Sequence, residues 1–79
     1  MNYNKIPQRT IDAINRYVNQ KIETGAFLRA VLTNDLEKTI LYADGENINV
    51  IPEIVSYIRN NIPYLSYGSE EIVNKWLHS

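Results

Sequence analysis

INVIPEIVSYIRNNIP, residues 48–63, decides how this chain folds: seven of its sixteen residues are Ile or Val, with a proline near the start. Ile48, Ile51, Val55, Ile58 and Ile62 recur at spacings of three and four, the period of one helix face. Val50, Ile54 and Tyr57 form a second apolar row beside it. A helix apolar around so much of its girth lies at the centre of a domain or against another subunit. Pro52 lacks an N–H and its ring crowds the preceding turn, so a kink or break is expected within two residues of position 51. Asn60-Asn61-Ile62-Pro63 stops the segment.

The same period continues on both sides. Ile11, Ile14, Val18 and Ile22 mark a first helix from about Pro7 to Gln20 or Ile22, with Pro7 suited to a first turn. Thr24-Gly25 is expected to break it, the glycine supplying an unusual backbone angle. A second helix begins near Ala26 and carries Phe27, Leu28, Val31, Leu32, Leu36 and Ile40. Thr33, Asn34 and Asp35 are weak helix-interior residues, so an interruption at Asn34 is expected, with Asn34 and Glu37 as a capping box. Asp44-Gly45 ends that segment and offers a cap to the next. Tyr64 to Gly68 is a loop, and Ser69 caps a last helix that turns Ile72, Val73, Trp76 and Leu77 inward. No segment alternates as a strand does. The expected fold is all-α: a small bundle of four to five short helices in one domain, residues 1–79, with one helix kinked or broken at Pro52.

A core of 79 residues is marginal, and the doubled apolar rows on 48–62 predict a homo-oligomer, a dimer or tetramer, with that segment at the interface. There is no cysteine, which removes disulfides, thiolate metal sites and cysteine nucleophiles and fits a reducing cytoplasm. No long apolar run follows a basic start, as a signal peptide would have, and no stretch suits a membrane span. The formal net charge of −1 is unevenly spread. Five basic and two acidic residues lie up to Arg29, three basic and seven acidic ones after it. That asymmetry reads as an anion site near the first helices, as head-to-tail complementarity between subunits, or as chance in a short chain. It argues against an extended nucleic-acid phosphate surface.

Catalysis has little to work with. The one histidine, His78, is next to last. Asp44, Glu46 and Asn47 resemble part of a calcium loop but lack its other oxygen ligands, so a helix cap explains them better. Asp35 and Glu37, two apart, fall on different helix faces. The three glycines are isolated and form no phosphate loop. No enzyme activity, metal or cofactor is expected. What remains is Thr24-Gly25 at a helix start, with Arg29 among apolar neighbours and Arg9 on the first helix. Arg29 is either a cation facing an anion or the solvated edge of a core helix, its stem over Phe27 or Leu32. Arg16, four after Asp12, fits a surface pair. Among six tyrosines, Tyr17 is placed nearest a ligand.

"IPQRTIDAINRYV" (6–18), "TGAFLRAVLTNDL" (24–36), "AD" followed by "EN" (43–47), "IVSYIRNNIP" (54–63) and "YGSEEIVNKWL" (67–77) together resemble a group of short proteins of tailed phages and prophages. Tyr67 stands where that pattern has Trp before Gly-Ser, and Gly45 where an acid is common. The resemblance implies a counter-defence role in the bacterial host cytoplasm: a sponge that sequesters a nucleotide immune signal of CBASS or Thoeris systems. The expected function is therefore non-catalytic binding of a small anionic, cyclic nucleotide. Arg9, Thr10, Tyr17, Thr24, Gly25, Arg29 and Asn34 have the chemistry such a pocket needs. The alternative is an interaction module or inhibitor that grips a host protein through Val50, Ile54 and Tyr57.

Overall fold

A computed structural model describes residues 3–79. Five α-helices make up the fold: α1 (Gln8–Gln20), α2 (Ala26–Leu32), α3 (Leu36–Tyr42), α4 (Ile51–Asn61) and α5 (Glu70–Leu77). Short 3-10 turns at Tyr3–Lys5, Asn47–Val50 and Tyr64–Ser66 connect or precede them. No strand occurs among the described residues, and none of their helices is long and apolar enough to cross a membrane.

α1 starts behind Pro7, whose carbonyl accepts from the Thr10 and Ile11 amides. It ends at Lys21, which takes a left-handed φ of 57°. Gly25 does not supply the unusual angle expected of it, since its φ of −73° and ψ of 175° are open to any residue. Lys21 tolerates its conformation with help from its side chain, whose Nζ lies 3.3 Å from the Trp76 ring centroid, a cation–π contact. The interruption after α2 occurs where expected, with one shift of register. Asn34 is the left-handed residue (φ 63°), and Asp35 is the cap, accepting from the Lys38 amide at 3.1 Å. Asn is among the few side chains that suit that backbone.

The break at Pro52 lies where its chemistry requires. Asn47–Val50 wind as a 3-10 turn, α4 starts at Ile51, and Pro52 sits in its first turn, where no N–H is missed. The break also rephases the apolar rows. Val50, Ile54, Ile58 and Ile62 are buried, whereas Ile48 and Val55 are exposed and Ile51 is half-buried. The expected stripe through Ile48, Ile51 and Val55 is thus not the core face. The second row, meant for a partner, is: Val50 and Ile54 are inside and Tyr57 is half-buried, with the Tyr3 ring edge-on at 5.4 Å. An interface built on Val50 and Ile54 is ruled out by their burial within one chain.

α1 contributes Ile14 and Tyr17 to the core, α2 Leu28 and Leu32, and α5 Val73; Ile6 closes one end. Tyr17 has no exposed surface; its hydroxyl donates to the Ser66 carbonyl at 2.7 Å, and the Trp76 indole donates to the Tyr17 carbonyl at 3.3 Å. α3 stands apart. Of its residues only Thr39 is buried, while Leu36, Ile40, Leu41 and Tyr42 are exposed.

Two outcomes follow for stability. Ile54→Lys places a charge in the core and should unfold the chain, read as loss of helical circular dichroism. Burial, opposed by the Arg29 charge, pushes the Tyr17 phenol up to about 12 from 10.0. The neutral phenol is therefore favoured in the folded state. Its contribution is intact below pH 10.0 and is lost as pH rises from there toward about 12. Tyr17→Phe should cost about 1–2 kcal/mol at neutral pH and flatten that alkaline loss in urea melts.

Candidate functional site

The basic residues of the first third find partners within the chain. Arg9 reaches Asp44 at 2.6 Å and Glu46 at 2.8 Å, tying α1 to the loop before α4. Asp44 also accepts from the Asn47 amide at 2.8 Å, and the buried Thr10 hydroxyl donates to the Asn47 side chain at 3.0 Å. The Asn47 amide and then the Arg9 guanidinium hold the Asp44 carboxyl below its ordinary value. Arg9 and Thr10 therefore build a structural corner. The Asp44–Asn47 turn is the helix cap that its residues suggested.

Arg29 answers to carboxylates as well. Its guanidinium donates to Glu23 at 2.7 Å, to Glu70 and to the Asn74 side chain at 2.6 Å. These bonds hold the loop before α2 and the start of α5 together, and they raise the Arg29 pKa, the Glu70 bond most of all. Its side chain is 23% exposed. A hollow beside it, about 240 Å³, is lined by Asp35, Lys38, Tyr42 and Glu70 among others, two of them acidic. An anion at Arg29 would have to displace Glu23 and Glu70. The Thr24 hydroxyl donates to the Gly25 carbonyl at 3.1 Å. Arg9, bound to the α3–α4 loop, does not join Arg29, bound to α5, in one pocket. Tyr17, buried and bonded to Ser66, presents no face for a base to stack on. Nor does Arg16 pair with Asp12, which accepts from Gln8 at 2.9 Å.

Asn34 alone of the expected set borders a cleft where polar groups are free. That cleft, about 140 Å³, lies between the end of α2, the outer turns of α4 and the Tyr67-Gly68 segment. Val31, Leu32, Val55 and Ile58 make its apolar wall; Asn34, Arg59 and Tyr67 bring an amide, a guanidinium and a phenol to it. None of these three side chains has a hydrogen bond or ion pair within the chain. Gly68 closes the cleft because its φ of 130° suits glycine, and its amide donates to the Leu32 carbonyl at 2.7 Å. Sequence spacing missed Arg59. Its one signal is its place four residues beyond Val55, on the flank of α4 that Pro52 turns outward.

No group of three or more His, Cys, Asp or Glu among the described residues could hold a metal ion. His78 is exposed at the end of α5.

Arg29→Ala should destabilise the chain by about 1 kcal/mol, less in high salt, as read from urea midpoints. Asp44 stabilises the fold above the ordinary aspartate range, and that contribution falls away as pH drops through its lowered pKa. Asp44→Asn should lower stability at neutral pH and converge with the parent in strong acid, measured by thermal melts across pH. Comparison with protein-family models, with curated proteins and with solved structures finds no match for this chain.

Proposed function

We propose that this chain is a non-catalytic binding protein that sequesters a small anionic nucleotide at the Asn34–Arg59–Tyr67 cleft. One observation carries the proposal: a guanidinium, an amide and a phenol, all without partners in the chain, border one cleft with an apolar wall. The forked donors of Arg59 suit a phosphate, and the Asn34 amide suits the donor and acceptor edge of a base. The Tyr67 ring offers a stacking face. No carboxylate or imidazole lines the cleft to act as a general base, so the chemistry favours holding over converting. The role agrees with the resemblance to phage counter-defence sponges. It relocates the anion contact from Arg29 to Arg59.

At about 140 Å³ the cleft seats one base or one phosphate end, whereas small-molecule pockets span roughly 300–1,000 Å³. A whole cyclic nucleotide therefore needs a further wall. The second functional reading, a protein-interaction module, is favoured by the exposed apolar side chains of α3.

Calorimetric titration with cyclic dinucleotides, cyclic trinucleotides and ADP-ribose derivatives tests the proposal. The parent should bind one class, more weakly as salt rises. Arg59→Ala should lose about tenfold to a hundredfold in affinity with an unchanged melting curve. Full loss of binding in Arg29→Ala with none in Arg59→Ala would move the site to the hollow beside α5. If the parent binds none of the panel, the interaction module takes its place.

A further inference from the structure

α3 has the composition of a core helix and the exposure of a surface one. Leu36 is 75% exposed, Leu41 68%, Tyr42 51% and Ile40 49%. The molecule is not loosely built: its surface is 4912 Å², and a compact 9.2 kDa monomer exposes about 4,900 Å². The ten buried residues of the core are drawn from the other four helices, the Val50 turn and Ile6, with none from α3. So large an apolar patch on so small a protein marks an interaction surface.

The two flanks of α3 differ. Asp35, Lys38 and Tyr42 line the hollow that holds Arg29. Leu36 and Ile40, four apart, share the other flank. Asn34, two residues before Leu36, borders the nucleotide cleft, and Val55 is both a wall of that cleft and 40% exposed. The apolar surface and the cleft therefore adjoin.

We infer that a second copy of this chain packs on α3 through a two-fold contact centred on Leu36 and Ile40, and that it walls the open side of the Asn34–Arg59–Tyr67 cleft. The consequence for the cleft rests on the functional proposal; the contact itself does not. Charge selects the occupant. The outward charges of α3 are Glu37 and Lys38, adjacent, opposite and both without partners in the chain. Such a face is neutral and self-complementary. In a two-fold arrangement each copy's Glu37 meets the other's Lys38, whereas a strongly acidic or basic partner gains nothing from it. Area agrees. A stable interface takes about 800 Å² from each partner, about a sixth of this surface, and the α3 side chains with Ile48 and Val55 supply the apolar centre. The interface thus moves from α4, where the sequence pattern put it, to α3.

Native mass spectrometry and sedimentation at micromolar concentration test the inference. The parent should run at twice 9.2 kDa. Leu36→Glu with Ile40→Lys, both at exposed positions, should run at the single mass with unchanged circular dichroism. Glu37→Lys should weaken the dimer, and Glu37→Lys with Lys38→Glu should restore it, an outcome that does not depend on the apolar variant folding. A monomeric parent overturns the inference, as does a dimer that none of these variants weakens. Titration of cyclic di-AMP and the other nucleotide probes separates the two proposals. A parent dimer that α3 variants split but that binds none of them keeps this interface and overturns the nucleotide site. A monomer that binds through Arg59 does the reverse.

Discussion

A phenol with no exposed surface must find an acceptor inside the protein, and Tyr17 finds the Ser66 carbonyl. That bond joins the middle of α1 to the turn between α4 and α5, and the Trp76 indole returns from α5 to the Tyr17 carbonyl. Trp76 in turn stacks under Lys21, the residue that ends α1 with a left-handed backbone. Three chain segments far apart in sequence are thereby held at fixed distances. No buried side-chain nitrogen or oxygen among the described residues lacks a hydrogen bond, so the polar groups taken inside cost the fold little.

The uneven charge has an internal explanation. Arg9 meets Asp44 and Glu46, and Arg29 meets Glu23 and Glu70. Basic side chains of the first third thus neutralise acidic ones of the remainder within one chain, with no need of an external anion. This also bears on function. A guanidinium between two carboxylates is a clasp, and its attraction for a phosphate is largely spent. Arg59, at the end of α4 and free of such partners, keeps its charge for whatever enters the cleft.

α3 sets the limits of the single chain. A 79-residue domain has room for one modest core, and here that core is filled without α3. The helix nevertheless has a cap at Asp35 and a bonded end at Thr39, so it is a finished element. Its apolar side chains are therefore surface by construction, and the site beside them is shaped in part by what covers them.

The sequence by itself determined the all-α class, the extent of α1, the interruption near Asn34, the break at Pro52 and the Ser69 cap, whose hydroxyl accepts from the Ile72 amide at 3.1 Å. Each follows from local physics: helical period, a missing N–H, a side chain reaching three residues along. Only tertiary structure decided which apolar row lies inside, because the 3-10 turn before Pro52 changes the residues per turn and so rotates Ile48 away from the face that Ile54 and Ile58 bury. It also decided which arginine is free. Arg9, Arg29 and Arg59 are alike as letters, and what separates them is the presence of Asp44 and Glu46 thirty-five and thirty-seven residues from the first, of Glu70 forty-one from the second, and of no acid beside the third. Those distances are set by the packing of the helices, which no local pattern encodes.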